Sequence, residues 1–223
     1  GMFFWRTGTC PVSFLMNGVR RSAVFPALEL AGQNTYALIL MDGDRMGGWL
    51  AVALTLWGLR AGCLLAANAA VALQERANFI FWQPTVSGKQ HLQQFLRLKM
   101  AGELLAGQGK GVTEQLRQQL VAGHSVEIAG YSLSPALAKG LGGAELQPSA
   151  GCTDTGQVAW FELSTREEAS LSPVSHKFIE LWRTAGWEVN AHMARGPSFW
   201  QTTEIEDAPS LIAATIASLE SWT

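Results

Sequence analysis

Apolar residues fall along this chain in short unbroken runs separated by stretches with helical spacing. The longest apolar stretch, Ala51 to Leu73 (AVALTLWGLRAGCLLAANAAVAL), turns at Gly58-Leu59-Arg60-Ala61-Gly62 and resumes as an Ala/Leu run. That pattern predicts a buried strand, a tight turn and a buried helix. Tyr36 to Met41 (YALILM) is a continuous apolar run and predicts a strand covered on both faces. Ala77 to Gln83 (ANFIFWQ), Gln157 to Leu163 (QVAWFEL) and Trp187 to Met193 predict further strands.

Helices are predicted between these runs. Gly88 to Leu105 carries Leu92, Phe95, Leu96, Met100 and Leu104 on one face. Thr113 is the expected cap of a helix reaching Val121, and Ser134-Pro135 opens a brief one to Leu141. Another starts at Pro173, carries Phe178, Ile179, Leu181 and Trp182, and stops at Gly186. The last, Ala208 to Ser221, places Leu211, Ile212, Thr215, Ile216 and Leu219 at core spacing. Near the start, Met2 to Pro11 reads as a short strand entering a loop that continues through Asn17. Val19 to Leu30 reads as a helix kinked at Pro26. Ser125 to Leu133 reads as a strand or hairpin arm, and Gly142 to Gly156 as a connector.

The order strand, helix, strand, insertion, strand, helix, strand, helix is that of a parallel α/β sheet. One link resists it. The glycine-rich loop Asp42 to Gly48 is shorter than the roughly ten to twelve residues of a parallel crossover. Either that connection is abbreviated or the next strand starts later than the apolar run suggests.

Composition narrows the picture. A length of 223 residues suits one α/β domain, the preferred reading, or two small ones. A formal net charge of −2, with no basic face, argues against nucleic acid as a partner. Cys10, Cys63 and Cys152 lack metal-ligand or redox spacing, so a reducing cytoplasm is expected. Trp49 to Leu73 is long enough to cross a bilayer, but Gly58, Arg60, Gly62 and Asn68 fall mid-span, where a charge is costly. A strand followed by a helix accounts for the same hydropathy, so no membrane span is expected.

The turn at Gly58 to Gly62 has the outline of a Gly-x-Ser-x-Gly nucleophile elbow, in which the glycines allow strand and helix backbones to pass closely. Its central residue is Arg60, whose guanidinium is neither a nucleophile nor readily deprotonated. Two other motifs lead nowhere. Gly123-His124-Ser125-Val126-Glu127 lacks the second elbow glycine, and Gly109-Lys110-Gly111 lacks the remaining residues of a phosphate loop.

The segments LTLWGLRAGCLLA, FWQPTVSGKQHLQQFLRLKMAGELL, EIAGYSLSPALA and GPSFWQTTEIEDAPSLI resemble a family within the α/β-hydrolase superfamily. It is the second of two hydrolase-like families associated with the exosortase A system, found with bacterial exopolysaccharide and protein-sorting loci. The resemblance runs from about Leu54 to Leu219. Upstream, Met16-Asn17 with Arg20-Arg21, and Tyr36 to Asp42, look like the helix and strand preceding the elbow in that family. The resemblance implies an α/β-hydrolase-like three-layer sandwich with a mostly parallel sheet. Its core would span 2–83 and 157–223, with a helical lid insertion at 84–156. The family's opening strands would precede Met2, so their absence is expected.

Such an enzyme also needs an acid after a later strand and a histidine after the last one. Glu167 stands in the acid-like place, whereas Pro197 stands in the turn where histidine is expected. His192 lies inside a strand and reads as a packing or solvent-facing residue. His91, His124 and His176 read as surface residues.

Trp82, Gln83, Phe199 and Trp200 follow strand ends, where ligands of such sheets bind; large aromatics there also suit core packing, the preferred reading for Trp82 and Phe199. Arg60 either binds an anion at the helix N-terminus or, more simply, pairs with Glu167, Glu168 or another acid. The elbow and pocket candidates are therefore Gly58, Arg60, Gly62, Gln83, Glu167, Pro197 and Trp200. No catalytic residue, metal set or cofactor motif is identified.

The expected function is that of a non-catalytic accessory protein binding a small anionic ligand or a protein partner. A hydrolase acting on an ester or thioester through a non-standard site is the alternative. An exposed sheet edge would favour a homodimer.

Overall fold

A computed structural model describes residues 12–16, 19–23, 37–40, 54–73, 77–105, 111–128, 130–148, 156–201 and 206–222. In chain order the elements are β1 (Val12–Met16), β2 (Val19–Ala23), β3 (Ala37–Leu40), β4 (Leu54–Leu59), α1 (Gly62–Leu73), β5 (Ala77–Trp82), α2 (Gly88–Leu105) and α3 (Val112–Val121). They continue with β6 (Val126–Ile128), β7 (Tyr131–Leu133), α4 (Pro135–Gly143), β8 (Gln157–Ser164), α5 (Pro173–Thr184), β9 (Glu188–Arg195) and α6 (Pro209–Glu220).

The principal sheet has five strands in the order β3-β4-β5-β8-β9. Strands β4, β5, β8 and β9 run parallel. β3 pairs with β4 antiparallel, with Ala37 opposite Gly58 and Leu40 opposite Thr55. This corrects the expectation of a parallel step there, because antiparallel neighbours do not require a long crossover. The next strand also starts late, at Leu54. Residues 41–53 lie outside the described residues.

Register assigns the side chains to two faces, since successive residues of a strand point oppositely. Trp57, Ile80 and Ala159 align on one face, and Gly58, Phe81 and Trp160 on the other. The face of Trp57 continues through Trp82, Phe161 and Leu163 and packs with Leu211 of α6. Trp82 donates its indole Nε1–H to Thr215 Oγ1 of that helix at 3.0 Å. The opposite face carries a ring cluster in which Trp182 of α5 meets Phe79 and Phe81 at centroid distances of 5.3 and 5.5 Å. α1 lies on this face as well, because its first turn abuts Gly58. Helices on both faces bury a largely apolar sheet, which is why the strands read as continuous apolar runs.

The helices form for local reasons. Ser134 and Ser172 cap α4 and α5 through their hydroxyls, and Pro135 and Pro173 stand in the first turn, where a missing N–H costs nothing. Along α5 the buried residues Ser175, Ile179 and Trp182 recur at helical spacing.

Several expectations need correcting. Val19 to Ala23 is a strand, not part of a helix, and pairs antiparallel with Val12 to Met16. Arg20 and Arg21 are thus strand residues, while 24–30 lie outside the described residues, as does the short strand expected over 2–11. Met16 pairs with Val19 across Asn17-Gly18, a dipeptide strongly suited to a two-residue hairpin. Gly111, at φ 84°, is the N-cap of α3 instead of Thr113. The stretch from Val126 to Leu133 supplies both arms of a hairpin. On α6, Ile212 and Ile216 are 48% and 51% exposed. Core spacing fixed their helical phase, but α6 turns Leu211 and Ser218 to the sheet instead.

Two compact units are distinguished. One holds Gln33–Gly88 and Glu145–Thr223, with the principal sheet; the other holds Phe3–Gly32 and Lys89–Ala144. In the second, Phe95 and Leu96 of α2 share a buried cluster with Leu116 and Leu120 of α3, the hairpin residues Val126, Ile128 and Leu133, and Ala138. Among the described residues no helix is long and apolar enough to cross a membrane, and the apolar stretch before Leu73 divides between β4 and α1.

Candidate functional site

The turn between β4 and α1 is built by close approach. A Cβ on Gly58 would lie 2.5 Å from Cys63 N and 2.6 Å from Gly62 C, so only glycine lets the start of α1 pass over the strand. Gly62 opens that helix. Between them, Arg60 has φ 56°, in the left-handed region that non-glycine residues rarely occupy.

Hydrogen bonds hold Arg60 there from three sides. Its N–H donates to Trp82 O at 2.9 Å, and its carbonyl accepts from Cys63 N at 3.1 Å and Thr85 N at 3.2 Å. Gln83, at the end of the neighbouring strand, is also left-handed, with φ 44°. Its N–H donates to Phe161 O at 2.7 Å, and its Oε1 accepts from Leu163 N at 2.8 Å. Two adjacent parallel strands therefore end in left-handed residues, Arg60 bonded to Trp82 and Thr85 on either side of Gln83, and Gln83 bonded to β8. Such outliers persist only where surrounding bonds over-determine them, and they cluster at functional sites.

Among the described residues the Arg60 side chain pairs with neither Glu167 nor Glu168 nor another acid. Its Cζ lies 5.6 Å from the centroid of the Trp200 ring, within the range of a cation–π contact. Glu167 instead meets Arg195, at 3.3 Å, with both side chains mostly exposed; such a surface pair is worth little. Arg60 Nε is buried without a hydrogen-bond partner, as is Trp200 Nε1. Burial pulls the Arg60 pKa below its usual value, opposed by Cys63. The guanidinium nonetheless keeps its charge.

Neither Cys63 nor Ser218 offers a free nucleophile. Cys63 is buried, and its thiol donates to Gly58 O at 3.2 Å. Burial pushes its pKa well up, against the hydrogen bond to Trp82 O and the nearby Arg60, so the thiol stays protonated and turned inward. His192 stacks on Phe161 at 5.0 Å and lies 3.5 Å from Ser218 Oγ. That hydroxyl belongs to a buried residue of α6 and donates to Ala214 O at 2.9 Å, so it offers no free serine.

The remaining candidates separate. Gly58, Arg60, Gly62, Gln83 and Trp200 come together at the carboxyl ends of β4 and β5. Glu167 is drawn to Arg195, and Pro197 stands in the turn after β9 as a partly buried residue. Trp82 and Phe199 are partly buried against the apolar core, their rings 6.3 Å apart. His124 and His176 are exposed as expected, but His91 is 3% exposed and belongs to the interior of α2. Among the described residues no cluster of His, Cys, Asp or Glu could hold a metal ion.

Sequence reasoning passed over Glu162. It is 8% exposed inside β8, and its carboxylate accepts from Ser172 N at 2.9 Å, from Ser172 Oγ at 3.1 Å and from Ser175 Oγ. A carboxylate within QVAWFEL, a run otherwise buried on both faces, was the signal that donors must be waiting. A cleft of about 290 Å³ opens beside it, lined by Ser164, Arg166, Glu168, Ser170 and Met193 among others. Through these three bonds the buried carboxylate clamps the first turn of α5 to the sheet.

The chain matches no protein-family model. It matches no curated protein.

Proposed function

We propose that this chain is a non-catalytic α/β-hydrolase-like protein, serving as a binding or accessory component of a bacterial exosortase/exopolysaccharide system. One observation carries the non-catalytic part: Arg60, at φ 56°, occupies the tip of the strand-turn-helix where a nucleophile would stand. The turn keeps the close approach at Gly58 and the left-handed tip that such elbows require. A mostly parallel sheet with helices on both faces is compatible with that superfamily. The sequence segments quoted above are the support for the system in which it acts.

Chemistry at the tip favours binding. A guanidinium at a helix N-terminus attracts an anion but cannot attack a carbonyl or accept a serine's proton. A screen of p-nitrophenyl acyl esters and acyl-CoA thioesters tests this reading, with Arg60→Ala as control. The expected result is no turnover above the control. Turnover that depends on the parent sequence would establish the alternative, a hydrolase with a non-standard site.

A further inference from the structure

Arg60 brings a guanidinium whose Nε is buried and unpartnered. The opening amides of α1 at Cys63 and Leu64 are taken up by Arg60 O and Ala61 O, each at 3.1 Å, and the first turn of α1 carries no acidic residue that would compete for the guanidinium. Gln83 accepts from Leu163 N through Oε1, which fixes its amide orientation and leaves its NH₂ as the group available to a ligand. Trp200, 7% exposed, lies under the guanidinium and has its own unpartnered indole N–H.

The charge is that of a single anion. With the amides of Cys63 and Leu64 already bonded, the guanidinium supplies a single unit of charge, which balances a monoanion better than a phosphate dianion. Beside them stands an aromatic wall: Trp57 and Trp82 are 4.6 Å apart, Trp82 and Phe199 6.3 Å, and Phe199 and Trp200 5.2 Å. Three of these rings are partly buried, not fully enclosed.

We infer that the turn binds a small monocarboxylate with an apolar tail, the carboxylate held by Arg60 and the Gln83 amide, the tail lying along Trp82, Phe199 and Trp200. This rests on the non-catalytic reading of Arg60 and adds the class of ligand. The strain at Arg60 and Gln83 then has a purpose, since it turns two strand ends so that their donors converge.

Calorimetric titration of the full chain with octanoate, octanamide and inorganic phosphate tests the assignment. Octanoate is expected to bind at least about tenfold more tightly than either of the others. Arg60→Asn removes the charge while suiting the left-handed backbone, and should lower octanoate affinity by roughly tenfold or more. Equal binding of octanoate and octanamide, tighter binding of phosphate, or an unchanged Arg60→Asn variant would each overturn it. If that variant fails to fold by circular dichroism, the ligand comparison on the parent protein decides alone. Ester turnover with octanoate binding intact would remove the non-catalytic reading and leave the site; no turnover and no octanoate binding would remove the site only.

Discussion

Arg60 Cζ stands 5.6 Å over the Trp200 ring, so a turn at the end of β4 and a turn after β9 meet through a cation and an indole. The contact replaces the carboxylate partner that charge pairing alone would suggest. It leaves the guanidinium charged and partly desolvated.

Backbone strain at Arg60 should be measurable. Arg60→Gly and Arg60→Val both lose the contact with Trp200, but only valine meets the steric cost of a left-handed residue. The valine variant should be less stable than the glycine variant by about 1–2 kcal/mol. Urea denaturation of the pair checks this, and equal midpoints would refute a strained tip.

Gly58→Ala should be severely destabilising. Its Cβ would sit 2.5 Å from Cys63 N and 2.7 Å from Cys63 Cα, atoms of a helix backbone that cannot turn aside as a side chain can. A loss of about 3 kcal/mol or more is expected. A thermal midpoint within a few degrees of the parent would mean that α1 can lift away from β4.

Glu162→Gln should weaken the start of α5. The amide NH₂ would confront one of the donors at Ser172 and Ser175, at a cost of about 1–3 kcal/mol. Hydrogen exchange should quicken first in the opening turn of α5. Unchanged protection there would show that the clamp is dispensable.

His192 predicts an acid-side loss of stability. Burial lowers its pKa from the usual 6.5, so the folded protein favours the neutral ring. The corresponding stability is complete above the unfolded value and is lost as pH falls through the lower folded one. His192→Phe keeps a ring against Phe161 and removes the titration. Its urea midpoint should fall less steeply than the parent's between pH 7 and 5, and parallel slopes would count against the assignment.

Much of this fold was legible in the chain. The runs ANFIFWQ and QVAWFEL became strands because a sheet covered on both faces requires unbroken apolar segments, and YALILM holds the strand Ala37–Leu40. The glycines at 58 and 62 marked the turn because only they permit the approach of α1. The N-terminal hairpin was misread because apolar residues in Val19–Leu30 mimic helical spacing, while Asn17-Gly18 carried the stronger local signal. The exposure of Ile212 and Ile216 could not be read from spacing, which gives a stripe but not the angle at which α6 meets the sheet.

The candidate site divides in the same way. Sequence alone determined that Arg60, whose side chain is no nucleophile, stands at the centre of the tight turn that Gly58 and Gly62 bracket. This follows from residue identity and short-range sterics. Only the tertiary structure decided that Arg60 meets Trp200, that Glu167 goes to Arg195, and that Gln83 turns its amide oxygen to β8. Those choices depend on which strand ends lie side by side, and partners distant in the chain become neighbours only when the sheet assembles.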